Sequence, residues 1–352
     1  MIRFENDYAE GAHKRILERL LETNDEQTPG YGMDEHCEQA RGYIRKACND
    51  ENADVHFLVG GTQTNTTIIA SILRPHQGVV SAHTGHIAAH ESGAIEATGH
   101  KVLPLPSEDG KIRAGQVKEL YDAHWNDVTH EHIVQPGLVY ISHPTENGTT
   151  YRKSELEELS KVCRELGLPL IMDGARLGYA LASSENDITL EDIARLCDVF
   201  YIGGTKIGAL FGEAVVITNH SLKKDFRYII KQKGGLLAKG RLLGIQFETL
   251  FEDGLYHELS NHAVEMAGMI REAFVNNGFS LRYDSTTNQQ FPILSEDVIL
   301  ELSKKYAFQF WEKIDATHSA VRFCTSWATK KAHVELLIED IKELKVATST
   351  LI

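Results

Sequence analysis

Three stretches of this chain set reactive side chains beside glycine at the ends of apolar runs. In Tyr201-Ile202-Gly203-Gly204-Thr205-Lys206 a lysine sits in a glycine-rich turn. A lysine held there by burial and near other cations loses its proton and becomes a nucleophile; a lone lysine is otherwise a solvated surface charge. In Met172-Asp173-Gly174-Ala175-Arg176 a carboxylate ends the run Leu168–Met172. Such a group is costly at the mouth of a buried strand unless it meets a cation, and a protonated pyridine nitrogen is one such cation. Arg176 is placed to grip a carboxylate with two parallel hydrogen bonds, the plain alternative being a structural Asp173–Arg176 ion pair. Gly60-Gly61-Thr62-Gln63 follows the run Val55–Val59 and opens the helical pattern Asn65–Leu73. Two glycines and a helix start suit phosphate, against the plain alternative of a turn capped by Thr62.

A nucleophilic amine, a carboxylate for a ring nitrogen and a phosphate turn are the three demands of pyridoxal 5'-phosphate, and the joint signal exceeds that of any one part. His86, in Ser81-Ala82-His83-Thr84-Gly85-His86-Ile87-Ala88-Ala89-His90, offers a flat ring to stack on such a cofactor. His86 and His90 are four apart, but no carboxylate at zincin spacing accompanies them, so no metal is expected. His143 follows the run Leu138–Ser142 and is a second candidate for acid–base work near neutral pH.

These motifs need a scaffold that brings strand ends together. From about Ala53 to Ile217, short apolar runs alternate with amphipathic stretches such as Ser154–Leu166. The runs are Val55–Val59, Gly78–Ala82, Lys101–Leu105, Leu138–Ser142, Leu168–Met172, Val199–Ile202 and Ala214–Thr218. Near-continuous apolar runs predict strands buried on both faces, hence an α/β fold with a mostly parallel sheet between helices. Ligands gather at the carboxyl ends of such strands. After Gly240 the pattern becomes long helices over Arg241 to Asn277, broken near Gly254. Short strands follow at Gln290–Leu294, Phe308–Ile314 and Ala320–Cys324, with helices at Ser295–Tyr306 and Lys331–Leu344. The expected division is residues 1–244 for an N-terminal segment and large cofactor-binding domain, and 245–352 for a smaller α+β domain.

The bulk properties narrow the class further. The chain has 352 residues, 42% hydrophobic and 24% charged, with a formal net charge of −14. That acidity disfavours nucleic acid and anionic membrane as partners. Five scattered cysteines without a CxxC pair predict a reducing compartment, and the polar N-terminus lacks the apolar core of a signal peptide. A cytoplasmic protein is expected. No GxGxxG with a following acidic residue follows the first strand, which sets aside a dinucleotide enzyme.

In order along nearly the whole chain, the residues resemble the low-specificity L-threonine aldolases, within the β-eliminating lyase group of fold type I enzymes that use pyridoxal 5'-phosphate. Tyr31-Gly32-Met33-Asp34, Gly61-Thr62-Gln63-Thr64-Asn65, His86-Ile87 with Glu91-x-Gly93-Ala94, Asp173-Gly174-Ala175-Arg176, Thr205-Lys206-x-Gly208, Thr287-Asn288 and Arg322 before Ser326-Trp327 carry the likeness. The resemblance implies Lys206 as the Schiff-base lysine and Asp173 on the pyridine nitrogen. It implies Gly61, Thr62, Gln63 and Thr205 around the phosphate, and His86 on the ring. His143 falls where the family has a second active-site histidine, and Asn6, Tyr31, Arg176 and Arg322 where it binds substrate. The chain departs from the family at Asn6-Asp7 in place of Ser-Asp, at Ile207 after the lysine, and at Lys233-Gly234-Gly235-Leu236-Leu237, which lacks the arginine that reaches a neighbour's phosphate; Lys233 or Lys239 is the candidate substitute.

The function so implied is cleavage of the Cα–Cβ bond of a β-hydroxy-α-amino acid of the threonine or allo-threonine type to glycine and an aldehyde. The rivals are β-elimination on another amino acid and a non-catalytic protein that keeps the fold. A small amino acid is the expected partner, with a homodimer or homotetramer that shares its active sites.

Overall fold

The computed structural model describes residues 1–344. Seven strands form the central sheet: β2 (Asp54–Leu58), β3 (Gln77–Ala82), β4 (Val102–Leu105), β5 (Gln135–Ser142), β6 (Leu170–Asp173), β7 (Val199–Gly203) and β8 (Glu213–Ile217). They lie side by side in the order β2-β8-β7-β6-β5-β3-β4. β8 alone runs against its neighbours; all other pairs are parallel. Every residue of β6, β7 and β8 is buried. Alternate side chains feed two separate cores, with Val139, Ile141, Met172, Phe200, Ile202 and Val216 on one face. Leu138, Tyr140, Ile171, Val199, Tyr201 and Val215 lie on the other. Period-two alternation in a sheet covered on both sides accounts for the continuous apolar runs of the sequence.

The carboxyl ends of β5, β6 and β7 open onto one rim, and register fixes who meets whom there. Ser142 lies opposite Asp173 across the β5–β6 pair. The run expected to begin at Leu168 is a strand only from Leu170, because Pro169 has no N–H to give the ladder. Helix Gly61–Ile72 follows β2 as expected, but Gly60 rather than Thr62 occupies its N-cap, without a side-chain capping bond.

A second, antiparallel sheet lies toward the C-terminus, with β10 (Ile293–Ser295), β13 (His318–Cys324) and β12 (Gln309–Lys313) side by side and β9 (Gln289–Gln290) pairing with β13. The single strand expected over Gln290–Leu294 is two short strands, interrupted at Phe291 and Pro292, where proline removes a donor. The amino terminus joins this half of the molecule. β1 (Ile2–Arg3) runs parallel to β11 (Tyr306–Ala307), and Phe4 enters a core with Phe274, Phe323, Val334 and Leu337.

Helices Arg241–Glu252 and Leu255–Asn276 break at Gly254, in the left-handed region at φ 74°. The division expected at residues 244 and 245 falls inside the first of them. The second serves both cores: Leu255, Tyr256 and Leu259 pack with the large sheet, Met266, Ile270 and Phe274 with the small one. The last eight residues of the expected small domain lie outside the described residues. Among the described residues, no helix is long and apolar enough to cross a membrane.

Candidate active site

A cavity of about 170 Å³ opens at the strand ends, and Gly60, Gly61, Thr62, His86, Glu146, Asp173, Arg176, Thr205, Lys206 and Glu213 belong to its wall. The lysine and aspartate singled out from sequence therefore share one cavity. Lys206 sits in the tight turn after β7, where Gly208 takes φ +90° and a Cβ would come within 2.5 Å of Leu259. Burial lowers the proton affinity of the Lys206 amine, and the nearby Arg176 charge lowers it further. Such an amine is a nucleophile at lower pH than a surface lysine.

Asp173, the last residue of β6, faces the same space. Burial raises the proton affinity of its carboxyl, but the charge on His86 and hydrogen bonds from Tyr140 and the backbone overcome this and hold it below its ordinary value. Tyr140 donates to Oδ2, Asn65 Nδ2 donates to the same oxygen at 3.3 Å, and the Ala175 N–H donates to Oδ1 at 3.0 Å. The carboxylate thus stays ionised in a buried wall, ready for a cationic ring nitrogen.

His86 is held at two points. Its Nδ1 lies 2.8 Å from Oε1 of Glu91, an oxygen that also accepts from Asn65 Nδ2 at 2.8 Å. Its backbone N–H donates to Glu146 Oε1 at 2.8 Å. Burial disfavours the imidazolium, yet the Glu91 bond and neighbouring carboxylates raise the His86 pKa. Arg176 is clamped by Asp7, with Nε donating to Oδ2 at 2.6 Å and Nη2 to Oδ1 at 3.0 Å. Burial works against the Asp7 carboxylate, but Arg176, Lys206 and Asn288 bring its pKa down to about 2.

Thr205 donates to Glu213 Oε1 at 2.9 Å. Burial pushes the Glu213 carboxyl well up, and the neighbouring Lys206 charge opposes this. The N–H groups of the first turn after Gly60 carry no side-chain cap, as an anion cradle requires. Pyridoxal 5'-phosphate fits these residues: an amine of lowered basicity, an ionised carboxylate, an uncapped glycine-rich helix start, and a buried Tyr201 hydroxyl that lies near Asp173 without a well-formed hydrogen bond among the described residues.

Five of the expected residues lie elsewhere. The His143 imidazole is fully buried on the other side of its strand end, where Nδ1 accepts from the Tyr151 N–H at 3.3 Å. Side chains alternate along a strand, so the residue after cavity-facing Ser142 points away. Burial lowers its pKa to about 4. Gln63 braces the loop, its Oε1 accepting from the Val59 N–H and its Nε2 donating to the Lys233 carbonyl, and does not line the cavity. Asn6 turns outward to accept from the Tyr8 N–H at 3.0 Å, leaving its neighbour Asp7 to reach Arg176. Tyr31 is 46% exposed and lies under Lys231, 4.9 Å from its ring, outside this chain's cavity. Arg322 is buried against Trp311 and held by Gln289, Gln309 and the Glu5 carbonyl. These are neutral acceptors, and its Nε has no partner among the described residues. Asp7, Glu91, Glu146 and Glu213 were not assigned site roles from the sequence. Asp7 carried a signal as the neighbour of Asn6 and Glu91 as part of a family motif; for Glu146 and Glu213 an isolated carboxylate does not announce which way it faces.

A parallel sheet with a lysine, an aspartate and an arginine at adjoining strand ends, beside a small sheet domain, is the arrangement of fold type I cofactor enzymes. Thermus thermophilus aspartate aminotransferase shares the fold with a TM-score of 0.71 at 13% identity, covering 97% of this chain and 91% of its own. Residues 13–308 match the family model described as beta-eliminating lyase, and the chain belongs to that family. It is 31% identical to the low specificity L-threonine aldolase of Pseudomonas sp. (strain NCIMB 10558), over 98% of both chains. Its identity to that of Pseudomonas aeruginosa is 30% over 97% of both. A solved threonine aldolase structure from Leishmania major superposes with a TM-score of 0.95 at 46% identity, covering 97% of this chain and 99% of that one.

Proposed function

We propose that the chain is a pyridoxal-phosphate-dependent lyase that cleaves the Cα–Cβ bond of a β-hydroxy-α-amino acid, of the threonine or allo-threonine type, to glycine and an aldehyde. The observation that carries this reading is the convergence of Lys206 and Asp173 on one cavity in a chain whose full-length relatives bear the threonine aldolase name. The bound cofactor supplies an electron-withdrawing ring that takes up the electron pair released at Cα.

The protein's own groups do the rest. Lys206, its amine kept weakly basic, would hold the cofactor. Asp173, kept ionised, would favour a protonated ring nitrogen. Arg176, fixed by Asp7, would bind the substrate carboxylate and so orient the substrate. His86, steered by Glu91, would offer its flat face to the ring. Gly61, Thr62 and Thr205 would take the phosphate end. Arg322, paired with neutral acceptors only, is free in charge to add a second hold on the carboxylate after a side-chain movement. Tyr31, Lys231 and Lys233 lie on an outer face, suited to a homodimer or homotetramer in which a neighbour's cavity receives them. Five buried, unpaired cysteines support a cytoplasmic setting.

The test is the visible spectrum of purified protein before and after L-threonine, L-allo-threonine or L-phenylserine, with glycine and aldehyde assayed together. Release of a keto acid and ammonia instead would establish β-elimination. Lys206→Ala should lose the lysine-bound absorbance and turnover. Full turnover by that variant, or wild-type protein that takes up no cofactor, ends the reading.

A further inference from the structure

We infer that Glu146 is the group that exchanges a proton with the substrate's β-hydroxyl, the role that sequence alone offered to His86 or His143; this deepens the aldol-cleavage reading and rests on it. The chain leaves β5 at Ser142, which faces the cavity opposite Asp173, while His143 points away. Three residues past His143, Glu146 returns a side chain to the same wall. Its Oε1 is fixed by two donors, the His86 backbone N–H at 2.8 Å and Ser142 Oγ at 2.7 Å. Its Oε2 is buried and has no hydrogen-bond partner among the described residues. A buried carboxylate with one oxygen anchored and the other unmet is costly unless a ligand donates to it. A substrate hydroxyl entering this cavity is such a donor.

The charged groups facing Glu146 are His86 from the short helix His86–Ala89 and Asp173 from β6, with Glu91 and the Tyr140 hydroxyl behind them. Burial raises the Glu146 pKa, the Asp173 charge adds to this, and His86 opposes it. A carboxylate tuned upward is a better base near neutral pH than an ordinary one.

The step balances. The β-hydroxyl proton passes to Glu146 Oε2, and the O–H electron pair becomes the second C–O bond of the aldehyde. The Cα–Cβ bond breaks with its electron pair left at Cα. One proton then returns to Cα and glycine forms, so no oxidant or other reactant is consumed.

Glu146→Gln tests this, because the amide oxygen still accepts from His86 and Ser142 while Oε2 is replaced by a group that takes no proton. Two reactions of the holoenzyme are compared: glycine release from L-threonine, and exchange of a glycine α-hydrogen in deuterium oxide, which involves no β-hydroxyl. Cleavage should fall roughly 10²–10⁴-fold, the usual worth of a general base. Exchange should stay within about threefold and the cofactor spectrum should be unchanged, since neither needs the lost group. The ratio of the two rates does not depend on how much protein is folded. Unchanged cleavage would overturn the assignment, as would an equal fall in both rates, which marks Glu146 as a mere wall residue. Wild-type protein that exchanges glycine hydrogens but does not cleave β-hydroxy amino acids overturns the functional reading instead.

Discussion

Charge inside the cavity is settled by individual pairs, and Asp7 with Arg176 is the most exposed to test. The Arg176 side chain is 12% exposed and Asp7 fully buried, and among the described residues the only carboxylate partner of Arg176 within 4.0 Å is Asp7. Removing one member of a buried pair strands the other, at roughly 3–5 kcal/mol. Asp7→Asn should therefore lower the denaturant midpoint and raise the KM for L-threonine, because Arg176 is no longer aimed. The pair also sets an acid limit. The Asp7 pKa is about 2 in the folded chain against an ordinary 3.8. A depressed carboxyl contributes stability that is fully present above 3.8 and is lost as pH falls through about 2, on the order of 2 kcal/mol here. Denaturation measured from pH 5 to pH 2 should show a steeper loss in wild type than in Asp7→Asn; parallel curves would refute the coupling. At this scale the sequence was half legible. Lys206, Asp173 and Arg176 could be found because a reactive residue beside glycine, directly after an apolar run, marks a buried strand end that a ligand can reach. Glu146 and His143 could not be sorted, since which of two neighbouring loop residues faces inward depends on strand register that only the folded sheet reveals.

Between elements, close backbone approach decides what the turns tolerate. Gly174 lies where β6 and β7 end side by side, and a Cβ there would stand 1.9 Å from the Tyr201 carbonyl oxygen. No side-chain rotation relieves a clash between Cβ and backbone. Gly174→Ala should cost roughly 3 kcal/mol and lower the melting midpoint by several degrees, with weakened cofactor uptake. Gly42, within helix Glu35–Cys48, has nothing within 4 Å of an added Cβ, so Gly42→Ala should hold or raise stability by up to about 1 kcal/mol. Equal behaviour of the two variants would show that strand-end packing is softer than the structure indicates. In the sequence Gly174 follows an apolar run and a carboxylate while Gly42 lies in a polar stretch, but how closely another backbone approaches either is not written there. The inner strands of the large sheet were legible because burial on both faces writes itself as nearly unbroken apolar runs. The small sheet was less so: β9 and β10 hold only two and three residues, β12 is largely exposed, and Pro292 splits a run whose apolar pattern reads as continuous.

The whole molecule is joined by segments distant in sequence. β1 pairs with β11, and Asp7 accepts from Asn288 at 2.9 Å across 281 positions. Helix Leu255–Asn276 packs on both cores, so the two sheets share a spine rather than a flexible linker. Deleting residues 2–8 should leave the large sheet and its cofactor absorbance intact while kcat/KM for L-threonine falls about 10²-fold, from lost positioning of Arg176. A truncated protein with undiminished kcat/KM would show that the N-terminal segment is dispensable. The same stitching bears on biosynthesis. Ribosomes deliver a polypeptide in order, so residues 2–7 emerge long before the strand and asparagine that receive them. The nascent chain can assemble its large sheet during translation, but the segment that carries Asp7 gains its partners Asn288 and β11 only after residue 307 has been made.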